Sequence, residues 1–197
     1  MKPLVLASIL LSTAVHAHAQ TSIFGLQLGA PMGLQECEKV KTATTVIYRP
    51  AVTVPCFKRL WSSTETGPVG TGTVAISLPI DQIPSPMSGT EVMALVLDGN
   101  IEGVGFNTAG IRTQDLALAE LTTKFGPPDS LERRPAKNSP GATFDVIYAT
   151  WSQSGPVVSF EGASGNIASG FVTVDTPKAN AWRAQARKAL LEKRPKL

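Results

Sequence analysis

Apolar and polar residues alternate in short runs along most of this chain, and glycine, proline, asparagine or aspartate separates one run from the next. Such a rhythm predicts half-buried strands joined by turns. Residues 23–29 read as a short first strand, 44–48 and 52–60 as a β-branched and aromatic pair, 73–78 as another strand and 170–174 as the last. Two hairpins stand out. Residues 92–97 are apolar throughout, Asp98-Gly99-Asn100 is a tight-turn sequence in which Gly99 and Asn100 tolerate positive φ, and alternation resumes over 101–106. Residues 145–151 and 157–161 flank Gln153-Ser154-Gly155-Pro156 as a second pair.

Three segments carry helical spacing instead. Pro31 opens the first, where Leu34, Cys37 and Val40 recur three residues apart and the helix ends near Lys41. Thr113 caps the second, with Asp115 in its first turn, Leu118, Leu121 and Phe125 on one face, and Gly126-Pro127-Pro128 as its stop. Thr176-Pro177 opens the third. There Trp182, Ala186, Ala189 and Leu190 share a stripe expected to bury on the sheet, and Arg183, Arg187, Lys188, Lys193 and Arg194 occupy the other faces. Residues 61–72, the three-proline segment 79–89, the charged segment 130–141 and Gly162-Ala163-Ser164-Gly165 read as loops.

Helices set among antiparallel hairpins predict an α+β fold: a mostly antiparallel sheet with two short helices and a C-terminal amphipathic basic helix. The α+β domain is expected over 20–177 and the basic helix over 178–197. A strand, a helix and further strands recur in 20–80 and 90–176, which suggests two similar halves.

Residues 1–19 have the three parts of an export signal. Lys2 is followed by an apolar run from Leu4 to Val15, and Ala17-His18-Ala19 supplies the small residues read at cleavage. The run is about a dozen residues, short of the roughly 20 that span a bilayer, and no other stretch is longer. Cleavage is expected before Gln20, giving a periplasmic or secreted protein without a transmembrane segment.

That expectation changes the chemistry available. The only two histidines, His16 and His18, leave with the signal. The mature chain then has no histidine for a triad, a metal site or a pH switch. Cys37 and Cys56 fall in the exported part, where a lone pair is expected to form a disulfide. A hydrophobic content of 43% against 17% charged residues, over 197 residues, gives a core large enough for one domain and excludes a disordered chain.

The charge is unevenly placed. Residues 178–197 hold seven basic residues and only Glu192, a net of +6, while 20–177 hold ten basic and fourteen acidic residues, a net of −4. Arg183, Arg187, Lys188 and Arg194 are therefore candidates for contact with an anionic surface or partner, and their removal is expected to leave folding unchanged. Nucleic acid is not an expected partner in that compartment. No nucleophile elbow, phosphate loop or dinucleotide fingerprint occurs, so no catalytic residue, cofactor or metal is expected. Carboxylates remain: Glu36 and Glu38, Asp98 and Glu102, and Glu161 and Asp175 at strand ends are the pairs a cell-wall hydrolase would need. Trp61, Trp151, Tyr48 and Tyr148 lie at or within strands, where aromatics serve as packing or as exposed anchors.

Leu28-Gly29-Ala30-Pro31-Met32 before a helix, and Phe125-Gly126-Pro127-Pro128 before the hairpin over 145–161, resemble the plan of small exported Gram-negative envelope modules. The type is that of SmpA/OmlA and the β-lactamase-inhibitor proteins. The resemblance implies a non-enzymatic envelope protein that binds another protein, such as an inhibitor, an immunity factor or an assembly accessory. It carries over no functional residue, and the acylated cysteine of the lipoprotein members is missing. A carboxylate hydrolase or a structural protein attached to the cell wall are the alternatives.

Overall fold

The computed structural model describes residues 21–44, 46–60, 68–137, 140–153 and 155–193. The export signal expected over 1–19, Trp61 with its loop to residue 67, and Arg194 lie outside them. Where one first strand is predicted, Phe24-Gly25 turns the chain into a minimal hairpin of β1 (Ser22–Ile23) and β2 (Leu26–Gln27). The helix predicted from Pro31 does not form. After an extended stretch come β3 (Lys39–Lys41), paired with β4 (Val46–Tyr48), and then β5 (Cys56–Arg59). The backbone of 35–37 runs along β5: Cys37 N–H donates to the Phe57 carbonyl at 2.8 Å and Phe57 N–H to that of Gln35 at 3.0 Å. A helix of three turns has too few internal bonds to resist such pairing. The Cys37–Cys56 disulfide forms, with Cα atoms 5.0 Å apart, but it ties extended chain rather than a helix to β5. Closing a 19-residue separation contributes about 3 kcal/mol by restricting the unfolded chain.

The chain continues through β6 (Gly72–Ser77), β7 (Glu91–Leu97), β8 (Asn100–Thr108), α1 (Gln114–Phe125), β9 (Ser130–Lys137), β10 (Thr143–Trp151), β11 (Val157–Asn166), β12 (Ser169–Asp175) and α2 (Pro177–Glu192). Strands β5 to β12 form one antiparallel sheet in the order β5-β6-β7-β8-β12-β11-β10-β9. It consists of two four-stranded meanders, each in chain order, that meet where β8 pairs with β12. The fold is α+β as the patterning predicts, with two α-helices rather than three among the described residues. Leu97 pairs with Asn100 across the β7–β8 turn, so the left-handed residues are Asp98 (φ 51°) and Gly99 (φ 79°) and not Asn100. A type I′ two-residue loop needs positive φ at both central positions.

One face of the sheet carries the core. Val92, Ala94 and Val96 alternate on β7, Val104 and Phe106 on β8, Val172 and Val174 on β12, and Ile147, Ala149 and Trp151 on β10, all buried in one cluster. Helix α1 lays Ala117 and Leu121 on it, whereas Leu116 is exposed. Trp151 is core, and its Nε1–H donates to the Gly126 carbonyl at 2.8 Å.

Two predicted loops are strands. Residues 130–137 form the edge strand β9, in which every residue but Ala136 is exposed, so no alternation marks it. Its pairing comes entirely from β10, and Pro135 is tolerated because an edge strand leaves one side unpaired. Residues 162–165 continue β11 beyond an irregularity between Glu161 and Asn166.

Candidate functional site

The second face of the sheet is covered at one end, and at the opposite end, over β6, the Ala51 N–H donates to the buried Ser77 hydroxyl at 3.0 Å. Register places Lys58, Ala75, Met93, Gly105, Thr173, Ser159, Thr150 and Ser130 in a single row, one residue from each of the eight strands. A parallel row holds Asn107, Phe171, Glu161, Tyr148 and Glu132. Along the first row Thr150 and Ser130 are exposed and Thr173 and Ser159 half-buried, whereas Ala75 and Gly105 are buried. The Phe171 ring reaches over β8, where a Cβ at Gly105 would stand 2.9 Å from its Cζ. Tyr148 is half-buried beneath the Arg134 guanidinium, 4.8 Å from the ring centroid, and Arg134 is held in turn by Glu132 at 2.6 Å. The β9–β12 half of the face is thus a row of hydroxyls beside the Phe171 ring, with Tyr148 capped by Arg134.

Helix α2 crosses the covered end. Its start is fixed locally: Pro177 presets the first turn, and the Thr176 hydroxyl accepts from the Ala179 N–H at 3.2 Å. Ala179, fully buried, packs with Leu95 and Leu97. Trp182 does not dock the helix as predicted. It is 40% exposed and stands at the rim of a shallow hollow with Thr71, Leu97 and Lys178. The small Ala179, not the indole, brings the helix close to the sheet.

Charge makes the rest of the attachment. Glu102 is 6% exposed and Asp175 4% exposed, both under α2. Glu102 accepts from the Thr176 hydroxyl at 2.6 Å and lies 3.7 Å from the Lys178 ammonium, which also meets Asp98 at 2.8 Å. Arg183 Nε donates to Asp175 Oδ2 at 2.8 Å. Asp175 Oδ1 has no hydrogen-bond partner among the described residues. Burial pushes the Asp175 carboxyl above its ordinary value, and the charge and hydrogen bond of Arg183 offset only part of that.

These contacts revise the expected roles of the basic residues. Arg183 is committed to Asp175 and so contributes to folding. Lys188 reaches Glu192 at 4.0 Å, a pair exposed on the helix surface, and Arg187 is exposed. Asp98, Glu102 and Asp175 are brought together, but as the counter-charges of α2. Glu36 likewise faces Tyr48 and Lys39, each at 2.9 Å, and Arg59 at 3.7 Å. Burial raises its carboxyl, but the hydrogen bonds from Lys39 and Tyr48 and the charges of Lys39 and Arg59 together hold it below the ordinary value. Glu38 pairs with Arg49 at 3.1 Å.

An acid–base consequence follows for Asp175. Between its ordinary value of 3.8 and its raised folded value the native state holds the extra proton, so stability falls as pH rises through that window. Asp175→Asn is expected to flatten this dependence in urea titrations. At neutral pH it should change stability by no more than about 1 kcal/mol, since the lost ion pair and the lost desolvation cost oppose each other. Arg183→Gln, which leaves the buried charge alone, should cost about 2–3 kcal/mol. An equal cost for both variants would contradict this arrangement.

Comparison with family models, with curated proteins and with solved structures finds no match to the chain. Among the described residues no group of side chains could hold a metal ion, and no helix is long and apolar enough to cross a membrane.

Proposed function

We propose that this chain is an exported, non-catalytic module that binds another protein of the cell envelope through the open face of its sheet. The observation that carries the reading is the row of hydroxyls Thr173, Ser159, Thr150 and Ser130 across β12 to β9, beside which Phe171 presents an aromatic surface. Flat, rigid aromatics set among adaptable hydroxyls suit a protein interface, where such side chains supply much of the binding energy at little entropic cost. The exposed basic residues Arg187 and Lys188 of α2 would steer an anionic partner. The disulfide suits an oxidising compartment, as the export signal over 1–19 implies. A binding role is also supported over carboxylate catalysis by the ion pairs that engage Glu36, Asp98, Glu102 and Asp175.

Photo-crosslinking residues placed at Ser159 and at Thr173 should trap the same partner in envelope extract, and a probe at Ala119 on the opposite face should trap none. Phe171→Ala should weaken that association by about 2 kcal/mol without a comparable loss of stability, because the ring is half-buried on the open face and lies outside the core. Equal crosslinking from both faces would overturn the reading.

A further inference from the structure

The core face is not sealed. Between α1 and the proline-bearing connector that follows β6 lies a cleft of about 410 Å3. Phe106, Val172 and Val174 of the two central strands form its floor, Leu121 and Phe125 one wall, and Ile83 and Pro84 the other. This volume is within the range of small-molecule sites, roughly 300–1,000 Å3, and near its lower end. A void lined by aliphatic and aromatic groups takes an apolar guest rather than water.

The cleft has a polar neighbour. Lys124 and Phe125 also line a second hollow of about 370 Å3, which Thr21 and Ser22 border. The only carboxylate there, Asp129, is engaged: it accepts from the Ser152 N–H at 2.6 Å and from its hydroxyl at 3.0 Å. The Lys124 ammonium sits 6.0 Å from the Phe125 ring centroid, at the junction of the two spaces, with no carboxylate partner among the described residues. Asp81 and Glu120 line the cleft but not the hollow.

We propose that the cleft binds a single-chain amphiphile with an anionic head, of the fatty-acid class. The chain lies on the Phe106–Val174 floor, and the head passes Phe125 into the hollow, where Lys124 neutralises it. The modest volume admits one chain, and the position of Lys124, the one cation that lines these two spaces among the described residues, fixes the direction in which the chain enters. This site lies on the opposite face from the proposed protein interface and stands or falls independently of it.

The test is displacement of the neutral dye N-phenyl-1-naphthylamine from the purified full-length mature protein, with ligands kept below their micelle concentrations. Laurate should displace it roughly fivefold more effectively than dodecanol, the gain expected of one exposed ion pair, and dodecylamine should be weakest. Across a fatty-acid series affinity should rise roughly three- to fourfold per added methylene. Lys124→Gln should remove the advantage of laurate and leave dodecanol unchanged. Leu121→Trp, which fills the cleft, should abolish binding of every ligand. Ile83→Trp does the same from the half-buried connector wall and serves if the first variant does not unfold cooperatively. The proposal is overturned if dodecylamine binds as well as laurate, if affinity ignores chain length, or if a folded cleft-filling variant still binds the dye.

Discussion

Replacing Gly110 with alanine should destabilise the protein by about 3–5 kcal/mol, a loss visible as a large drop in the urea midpoint. Gly110 precedes α1 and has φ 65°, which disfavours a side chain by about 1 kcal/mol. The larger contribution is steric. A Cβ there would lie 2.6 Å from the Ala168 carbonyl carbon and 2.7 Å from the Ser169 nitrogen, both backbone atoms of the β11–β12 turn. Ile111 N–H donates to the Ile167 carbonyl at 3.0 Å in the same place, so the two segments cannot separate without losing that bond. Backbone on both sides leaves no flexible side chain to absorb the methyl group, and overpacking of this kind costs several kcal/mol. Gly33→Ala, whose nearest neighbour would be the Pro31 carbonyl at 3.9 Å, is the control and should change stability by less than about 0.5 kcal/mol. A loss below about 1 kcal/mol for Gly110→Ala would show that the turn can move.

The second large effect is expected at Gln114, where α1 begins. β10 pairs with β11 only as far as Tyr148 opposite Glu161. One residue further on, the ladder is interrupted and the buried Gln114 amide takes its place. Its Nε2 donates to the Asp145 carbonyl at 2.8 Å and its Oε1 accepts from the Ile147 N–H at 3.0 Å. Gln114→Ala strips partners from two backbone groups at once and should cost about 2–4 kcal/mol. Gln114→Glu separates the causes. An ionised carboxylate still accepts from Ile147 but cannot donate to Asp145, and burial raises its folded pKa. The variant should therefore be weakest at neutral pH and recover as pH falls, because the protonated acid restores the donor. A flat pH profile for Gln114→Glu would show that the amide does not supply the missing pairing.

Gln114 illustrates what the sequence conveys and what it withholds. Helix α1 is legible because Leu118, Leu121 and the Gly126-Pro127 stop are local signals; Thr113 stands at the N-cap position as expected, but its hydroxyl donates to the Pro86 carbonyl at 3.4 Å and does not cap the helix. The glutamine that anchors it is not legible, since its partners lie 31 and 33 residues away in β10. The β7–β8 hairpin and the disulfide are legible for the same local reasons. β9 is hidden because an edge strand with both faces open needs no apolar alternation. The segment after Pro31 misleads because residues three apart, Leu34 and Cys37, also contact the core in an extended chain. At the site, the basic residues of α2 and the carboxylates Asp98, Glu102 and Asp175 are all visible as residue types. That they neutralise one another depends on the β8–β12 pairing, which sets Gly103 opposite Asp175 across 72 residues of sequence.

The Cys37–Cys56 bond also governs how these molecules behave in company. A sheet built of two joined meanders ends in two free borders, β5 and β9. β9 protects itself with exposed charge and Pro135. β5 is shielded by the strip 35–37, which two backbone hydrogen bonds hold in place and the disulfide locks. In a reduced chain that strip is held by its two backbone hydrogen bonds alone, and its release would open the border, with the buried Phe57 beside it, as a template on which further copies could add strand by strand. Oxidation of the pair thus closes a side from which a fibre could grow.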